Sequence, residues 1–435
     1  MKNEHTNLDF RAEEDGGMTA LGLVLFVGIL TIGGLSLDMA YAYKTRTDLQ
    51  VAADAAAHAA IMTRELGTLD EARAKAIEVA ENTLVPSSYG NVLIPSDIQF
   101  GSWDAATERF TVDNTRKDAV MVNTARFESR GNRVPAFLLN FVGFEGWNVQ
   151  SGAVFETYVP TCFREGFTAV GMVDVQSNNN FTNGFCIHSN AYVKVSSNNT
   201  FGEDTVVSMP DTQALQLPNS GFETNDGLAE ALREGRYIFR ILNRLADIIY
   251  GVGTGDPLYT PDYITNLVPV SLPSKNAKQS DFVPGRIHTY TCSGGAALQI
   301  ASGTTLSDVV LYTSCKIKFG SDVTLDNVVI ATTSSSPQSV TAAAGLQVGR
   351  DDACAEDGGS QILTMGSISI PSSLEVYGGQ LIAMQDIAFS ANANGVEGAS
   401  FIAGGTISGT SNMTMGFCGS GFERNFEAQY FHLRG

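Results

Sequence analysis

From Met18 to Leu37 the chain reads MTALGLVLFVGILTIGGLSL, twenty residues without a charge. At about 1.5 Å per residue such a helix spans roughly 30 Å, the hydrocarbon thickness of a bilayer. Charge returns at Asp38, and seven of the ten residues from Val51 to Ala60 are alanine. Neither Gly nor Pro interrupts until Gly67. This pattern predicts a transmembrane helix over 18–37 and a helical stalk over 38–85. The stalk's second helix opens at the capping pattern Thr68-Leu69-Asp70-Glu71 and is closed by Pro86. The first seventeen residues hold two basic and five acidic side chains, unlike the basic start of a cleaved leader, so the segment is expected to be retained. A buried core helix is the alternative, but it would carry a polar stripe.

Alternation takes over beyond the stalk. Strand-like stretches at Ile98–Trp103, Arg109–Val112, Ala119–Phe127 and Val149–Val159 predict a small α+β module over 86–160. The apolar run PAFLLNFVGFEGW, Pro135–Trp147, interrupts it. It is expected to pack as a short helix against the strands and supply their core; left exposed, it would dock a partner or rest on a membrane surface.

From residue 161 onward the chain matches itself. VDVQSNNNF (Val173–Phe181) aligns with VKVSSNNTF (Val193–Phe201) at a spacing of twenty. Ile300–Thr313 aligns with Phe319–Thr332 at nineteen, pairing Leu306 with Leu325 and Val309 with Val328. LIAMQDI from Leu381 aligns with FIAGGTI from Phe401 at twenty. Short strands, polar corners and a period near twenty predict a parallel β-helix or solenoid over 161–435, with Asn178 and Asn198 stacked in a turn. A β-sandwich of regular strands remains open. A helical insertion over about 205–290 is expected to cover the strands with an amphipathic helix from Gly227 to Tyr250.

The whole is therefore a membrane-anchored multidomain chain: cytoplasmic residues 1–17, a transmembrane helix, a stalk, an α+β module and a mainly β C-terminal region. Composition narrows its chemistry. The net charge of -19 removes nucleic acid from the partners, and five dispersed histidines give little material for a metal centre. All six cysteines, Cys162, Cys186, Cys292, Cys315, Cys354 and Cys418, follow residue 160, which suits disulfides outside the cytoplasm. Fifteen connectivities exist; the simplest joins Cys162 to Cys186, Cys292 to Cys315 and Cys354 to Cys418.

The order Asp15-Gly16-Gly17, an apolar run, Gly34, Asp38, Tyr43, Arg46, Leu49-Gln50 and Ala53-Asp54-Ala55-Ala56-Ala57 resembles the amino-terminal segment of TadG-like proteins of the Tad (Flp) pilus assembly system. The resemblance covers residues 10–65 and extends more weakly to about 160. It implies an anchored structural component in the bacterial inner membrane, its bulk periplasmic or surface-exposed, with the membrane and other pilus-assembly proteins as partners. It marks Gly34, Asp38, Leu49, Gln50 and Asp54 as motif positions. The blander expectation makes the alanine-rich helix a spacer, Asp38 a marker of the water interface and His58 an exposed stalk residue. Processing as a pilin-like subunit is not expected, because cleavage between Gly17 and Met18 would leave Gly22 where such subunits use Glu.

Catalysis finds little material. Asp308 aligns with Asn327 and Asp326 with Ser307, so these carboxylates do not stack into a pair. Asp351-Asp352 and Glu356-Asp357 could ligate calcium, but a solvated acidic loop is the expectation. There is no D-x-S-x-S run, P-loop, dinucleotide fingerprint or G-x-S-x-G elbow, and no cofactor is expected. The competing class is a surface adhesin or carbohydrate-active β-helix that borrows a Tad-like anchor and binds a cell-surface or carbohydrate ligand.

Overall fold

The computed structural model describes residues 15–182, 184–293, 295–409 and 411–434. The expectation of a cytoplasmic N-terminus falls largely on residues 1–14, outside the described residues. The chain divides into two compact units, one of residues 1–158 with 429–435, the other of residues 159–428.

The first unit begins with α1 (Asp15–Leu66), a single helix that runs through the apolar stretch and on through the alanines. Its apolar part has mean hydropathy 2.3 and is long enough to cross a membrane. Gly67 ends α1, and α2 (Leu69–Thr83) starts at Thr68, whose side chain and that of Glu71 cap each other's backbone. Five antiparallel strands follow: β1 (Ile98–Asp104), β2 (Arg109–Val112), β3 (Ala119–Arg126), β6 (Val149–Tyr158) and, from the far end of the chain, Tyr430–Leu433. Between β3 and β6 lies a small hairpin of β4 (Val134–Pro135) and β5 (Gly146–Trp147). The last strand pairs with β6, Tyr430 opposite Tyr158, and so leaves the region over 161–435 to which repetition alone assigns it.

Alanine makes α1 a core element rather than a spacer. Leu49, Ala52, Ala53, Ala56, Ala57, Ala60 and Ile61 are fully buried against Ala72, Ala76 and Ala80 of α2 and against Phe100, Val120 and Val122 of the sheet. Methyl side chains let backbones approach closely, so two helices and a sheet share one core.

In the second unit the strands pair in parallel, most of them with strands some twenty to thirty residues before and after in the chain. The registers Val173 to Val193, Leu306 to Leu325 and Leu381 to Phe401 are those of the internal alignments. The spatial order departs from chain order. Ser400–Ala403 pairs with Gly166–Ala169, so the last repeat lies beside the first. One buried column therefore reads His288, Leu311, Ile330, Ile362, Leu381, Phe401, then Phe167, Ile187 and Val207. The stack is a continuous ladder entered in the middle by the chain.

Such an order needs a return path. Residues 237–255 supply it: Tyr237 lies on His188, Phe239 on Phe163, Gly253 against the Tyr312 ring and Gly255 against Leu267. The helix of this path is Arg240–Thr254, with Ile241, Leu245, Ile248, Ile249 and Val252 buried. At about 1.5 Å per residue it covers roughly 22 Å, the width of four or five strands. The expected helix over 227–250 is broken. Leu228–Ala231 is one turn, and Leu232–Glu234 is a strand in parallel register with Val207–Met209. Pairing with an existing edge outweighs helical periodicity there, and Ile238, within the expected helix, is exposed.

The asparagine ladder is displaced by one position. Asn178 and Asn198 adopt left-handed backbone conformations and turn the corners. The buried amides that bond between neighbouring repeats belong to Asn179, Asn199 and Asn225: Asn199 Oδ1 accepts the Asn179 N–H at 2.9 Å and Asn225 Oδ1 that of Asn199 at 3.2 Å. Asn178 and Asn198 are exposed at the corners, and the residue after each, Asn179 and Asn199, is buried.

Candidate functional site: the clamp face of the first helix

Helical spacing places Gly34, Asp38, Thr45 and Leu49 on one face of α1, and all four are buried. Near its apolar part this face meets the β4–β5 hairpin tip. A Cβ at Gly34 would stand 3.1 Å from Leu138 Cβ, so glycine provides the close approach. One turn on, Asp38 Oδ1 accepts the Phe137 N–H at 3.0 Å, and Oδ2 accepts those of Leu138 at 3.0 Å and Leu139 at 2.8 Å. Asp38 is 1% exposed, so the first charged residue after the apolar run also has a structural role. It holds the start of the single turn Leu139–Val142, whose free N–H groups call for an acceptor. Tyr41 packs edge-on against Phe137 at 5.1 Å.

Three turns further, the same helix grips the sheet. The Leu49 carbonyl accepts the Thr124 hydroxyl of β3 at 2.8 Å. Gln50 Nε2 donates to the Gly152 carbonyl at 3.0 Å and to Asp54 Oδ1 at 2.7 Å, while its Oε1 accepts the Ser151 hydroxyl of β6. The motif positions Gly34, Asp38, Leu49, Gln50 and Asp54 thus form a clamp on one α-helix. The helix is kept at a fixed height against hairpin and sheet. His58 is exposed, yet its ring stacks on Phe155 at 5.3 Å.

The Pro135–Trp147 run does not fill the core of the module. Leu139 is buried, but Phe137 is 63%, Phe141 90% and Val142 56% exposed. The core that it was expected to supply comes from the alanines of α1 and α2, which sequence periodicity assigns to a separate stalk.

In the second unit, disulfides join Cys162 to Cys186, Cys292 to Cys315 and Cys354 to Cys418. Glu165 is buried beside the third, its oxygens accepting the backbone N–H groups of Cys418 and Gly419. Burial pushes its carboxyl up to about 7, against those two hydrogen bonds and with help from the Glu397 charge. Glu165 also lines a cleft with Arg164, Phe417, Phe422, Glu423 and Glu427. Around the acidic loop, Arg424 binds Asp357 at 2.6 Å, Asp262 at 2.9 Å and Asn327 Oδ1 at 2.9 Å, over the Tyr263 ring. Arg350 pairs with Asp326, and Asp352 Oδ1 accepts the Ala355 N–H. Among the described residues Cys354, Glu397 and Cys418 group closely enough for a metal, but both sulfurs are bonded to each other. Asn327 donates to Asp308 at 3.0 Å, so that corner ladder is amide on carboxylate.

No curated protein and no solved structure matches the chain. Two families do. Residues 16–74 match the family described as "Putative Flp pilus-assembly TadE/G-like", a span that contains every clamp position on α1, and residues 166–419 match a domain of unknown function, DUF7867. The chain carries a TadE/G-like domain over residues 16–74 and, since DUF7867 covers more than half of its length, belongs to the family defined by that second domain.

Proposed function

We propose that this protein is an anchored, non-enzymatic structural component of Tad (Flp) pilus assembly. It is held in the bacterial inner membrane by α1, and the parallel stack, wound as a β-helix and tied by three disulfides, lies in the periplasm or at the cell surface. The observation that carries the reading is the coincidence of the TadE/G-like match with the clamp face of α1. A component whose first folded unit must stand at a set height above the membrane needs its anchor locked to that unit, and Asp38 and Gln50 provide that lock. Glu165 acts as a backbone clamp in this reading, because both its oxygens are occupied by N–H groups.

The second reading, an adhesin or carbohydrate-active protein on a Tad-like anchor, draws on the cleft beside Glu165, where carboxylates stand next to Phe417 and Phe422. Gene deletion separates the two. Loss of assembled pili, restored by the wild-type gene, supports the assembly role. Normal pilus number together with a lost glycan-binding or glycan-cleaving activity refutes it in favour of the second.

A further inference from the structure

We propose that the hairpin tip Phe137–Phe144 is a second membrane contact, inserting its phenylalanines into the lipid interface beside α1. The proposal rests on α1 being the membrane anchor and goes beyond it: one span becomes a span plus an interfacial loop in a fixed relation.

Depth is the first argument. Leu138 packs against Gly34, which lies four residues inside the apolar run from Asp38, roughly 6 Å toward the hydrocarbon along the helix. With the helix in a bilayer, the tip lies at or just below the level where charge returns. Exposure is the second. Phe141 at 90%, Phe137 at 63% and Val142 at 56% form an apolar surface that continues the exposed apolar face of α1, where Leu30 is 56% and Leu37 65% exposed. Lipid that covers the helix also covers the tip, and no second kind of partner is required.

Backbone polarity is the third argument. Non-helical backbone close to the hydrocarbon is tolerated best where its N–H groups are satisfied within the protein. Asp38 takes those of Phe137, Leu138 and Leu139. The Ala136 N–H goes to the Glu145 carbonyl, Phe141 to Leu138, Gly143 to Asn140 and Phe144 to Leu139. The charges at the hairpin base are paired, Arg133 with both Glu145 and Glu128. Trp147 packs edge-on against Phe144 at 4.7 Å, and Tyr41, three residues past Asp38 on α1, packs on Phe137, aromatic side chains of the kind that gather at a membrane–water boundary.

The test uses the full chain, disulfides intact, in phosphatidylcholine–phosphatidylglycerol vesicles. Single cysteines introduced as Phe141→Cys, Leu25→Cys and Lys117→Cys are labelled with an environment-sensitive fluorophore and quenched with lipids carrying shallow or deep nitroxides. Lys117 donates to the Glu65 carbonyl, near the other end of α1, and serves as the water-exposed control. The expected result is strong deep quenching at position 25, shallow quenching at 141 several-fold above that at 117, and a blue-shifted emission at 141. Quenching at 25 with none at 141 overturns the proposal and leaves the anchor standing. A blue shift at 141 without lipid quenching overturns it in favour of cover by protein, such as a second copy. Absence of quenching at both 25 and 141 overturns the anchor and the proposal together.

Discussion

Asp38 Oδ2 accepts the backbone N–H of Leu139 at 2.8 Å, joining positions 101 residues apart in the chain. A buried carboxylate that holds three consecutive N–H groups cannot be replaced by water at a site with 1% exposure. Asp38→Ala is expected to free the hairpin tip while leaving α1 and the sheet folded. Hydrogen exchange should show lost protection at Phe137, Leu138 and Leu139, and proteases should cut between residues 134 and 147. Asp38→Asn keeps one acceptor oxygen and should fall between wild type and Asp38→Ala. Unchanged exchange in Asp38→Ala would remove the clamp role.

Arg424 is the polar hub of the acidic loop. It binds Asp262 and Asp357 as ion pairs and Asn327 as a hydrogen bond, and it lies over the Tyr263 ring. Arg424→Ala should destabilise the second unit by about 2 kcal/mol, the size of losing charged hydrogen bonds in a half-buried setting. Arg424→Lys should recover only part, since one ammonium cannot reproduce the guanidinium fork. Denaturant midpoints of the three proteins check the order.

The disulfides close segments of different length, 24 residues for Cys162–Cys186 and 64 for Cys354–Cys418. In the chain-entropy picture their removal costs about 3 and about 4 kcal/mol respectively. Serine pairs at each site, compared by thermal unfolding under oxidising conditions, should rank in that order. A reversed rank would mean that local packing near Cys162 outweighs loop entropy.

The sequence carried much of the second unit because its repeats are local. Leu306 to Leu325 and Val309 to Val328 lie nineteen residues apart, within reach of self-alignment, and the structure keeps those registers. The junction of Phe401 with Phe167 was not legible, because pairing between the first and last repeats leaves no periodic trace between them. The clamp was half legible. Gly34, Asp38, Leu49, Gln50 and Asp54 stood out as a motif, but their partners lie far along the chain and are backbone groups of Phe137–Leu139 and Gly152 or the ordinary hydroxyls of Thr124 and Ser151, none of which forms a pattern in sequence. Helix Gly227–Tyr250 misled because apolar spacing of 3.6 also fits a strand followed by a bend. The edge of Val207–Met209 decided for the strand.

Glu165 makes stability pH-dependent in a direction opposite to most carboxylates. Its folded carboxyl titrates at about 7, against an ordinary value of 4.5. Below the ordinary value both folded and unfolded forms are protonated, and the group imposes no cost. As pH rises from about 4.5 toward 7 the unfolded chain releases its proton first, so stability attributable to Glu165 is lost across that window. The full loss is of order 3 kcal/mol above pH 7, because Glu165 is 1% exposed and little screened. Glu165→Gln keeps the shape without the ionisation. Denaturation midpoints of wild type and variant from about pH 4 to 8 give a difference curve in which all other carboxylates cancel. That curve should fall for the wild type between about pH 5 and 7 and flatten on either side. A flat difference, or one that rises with pH, would mean that the N–H groups of Cys418 and Gly419 hold Glu165 ionised.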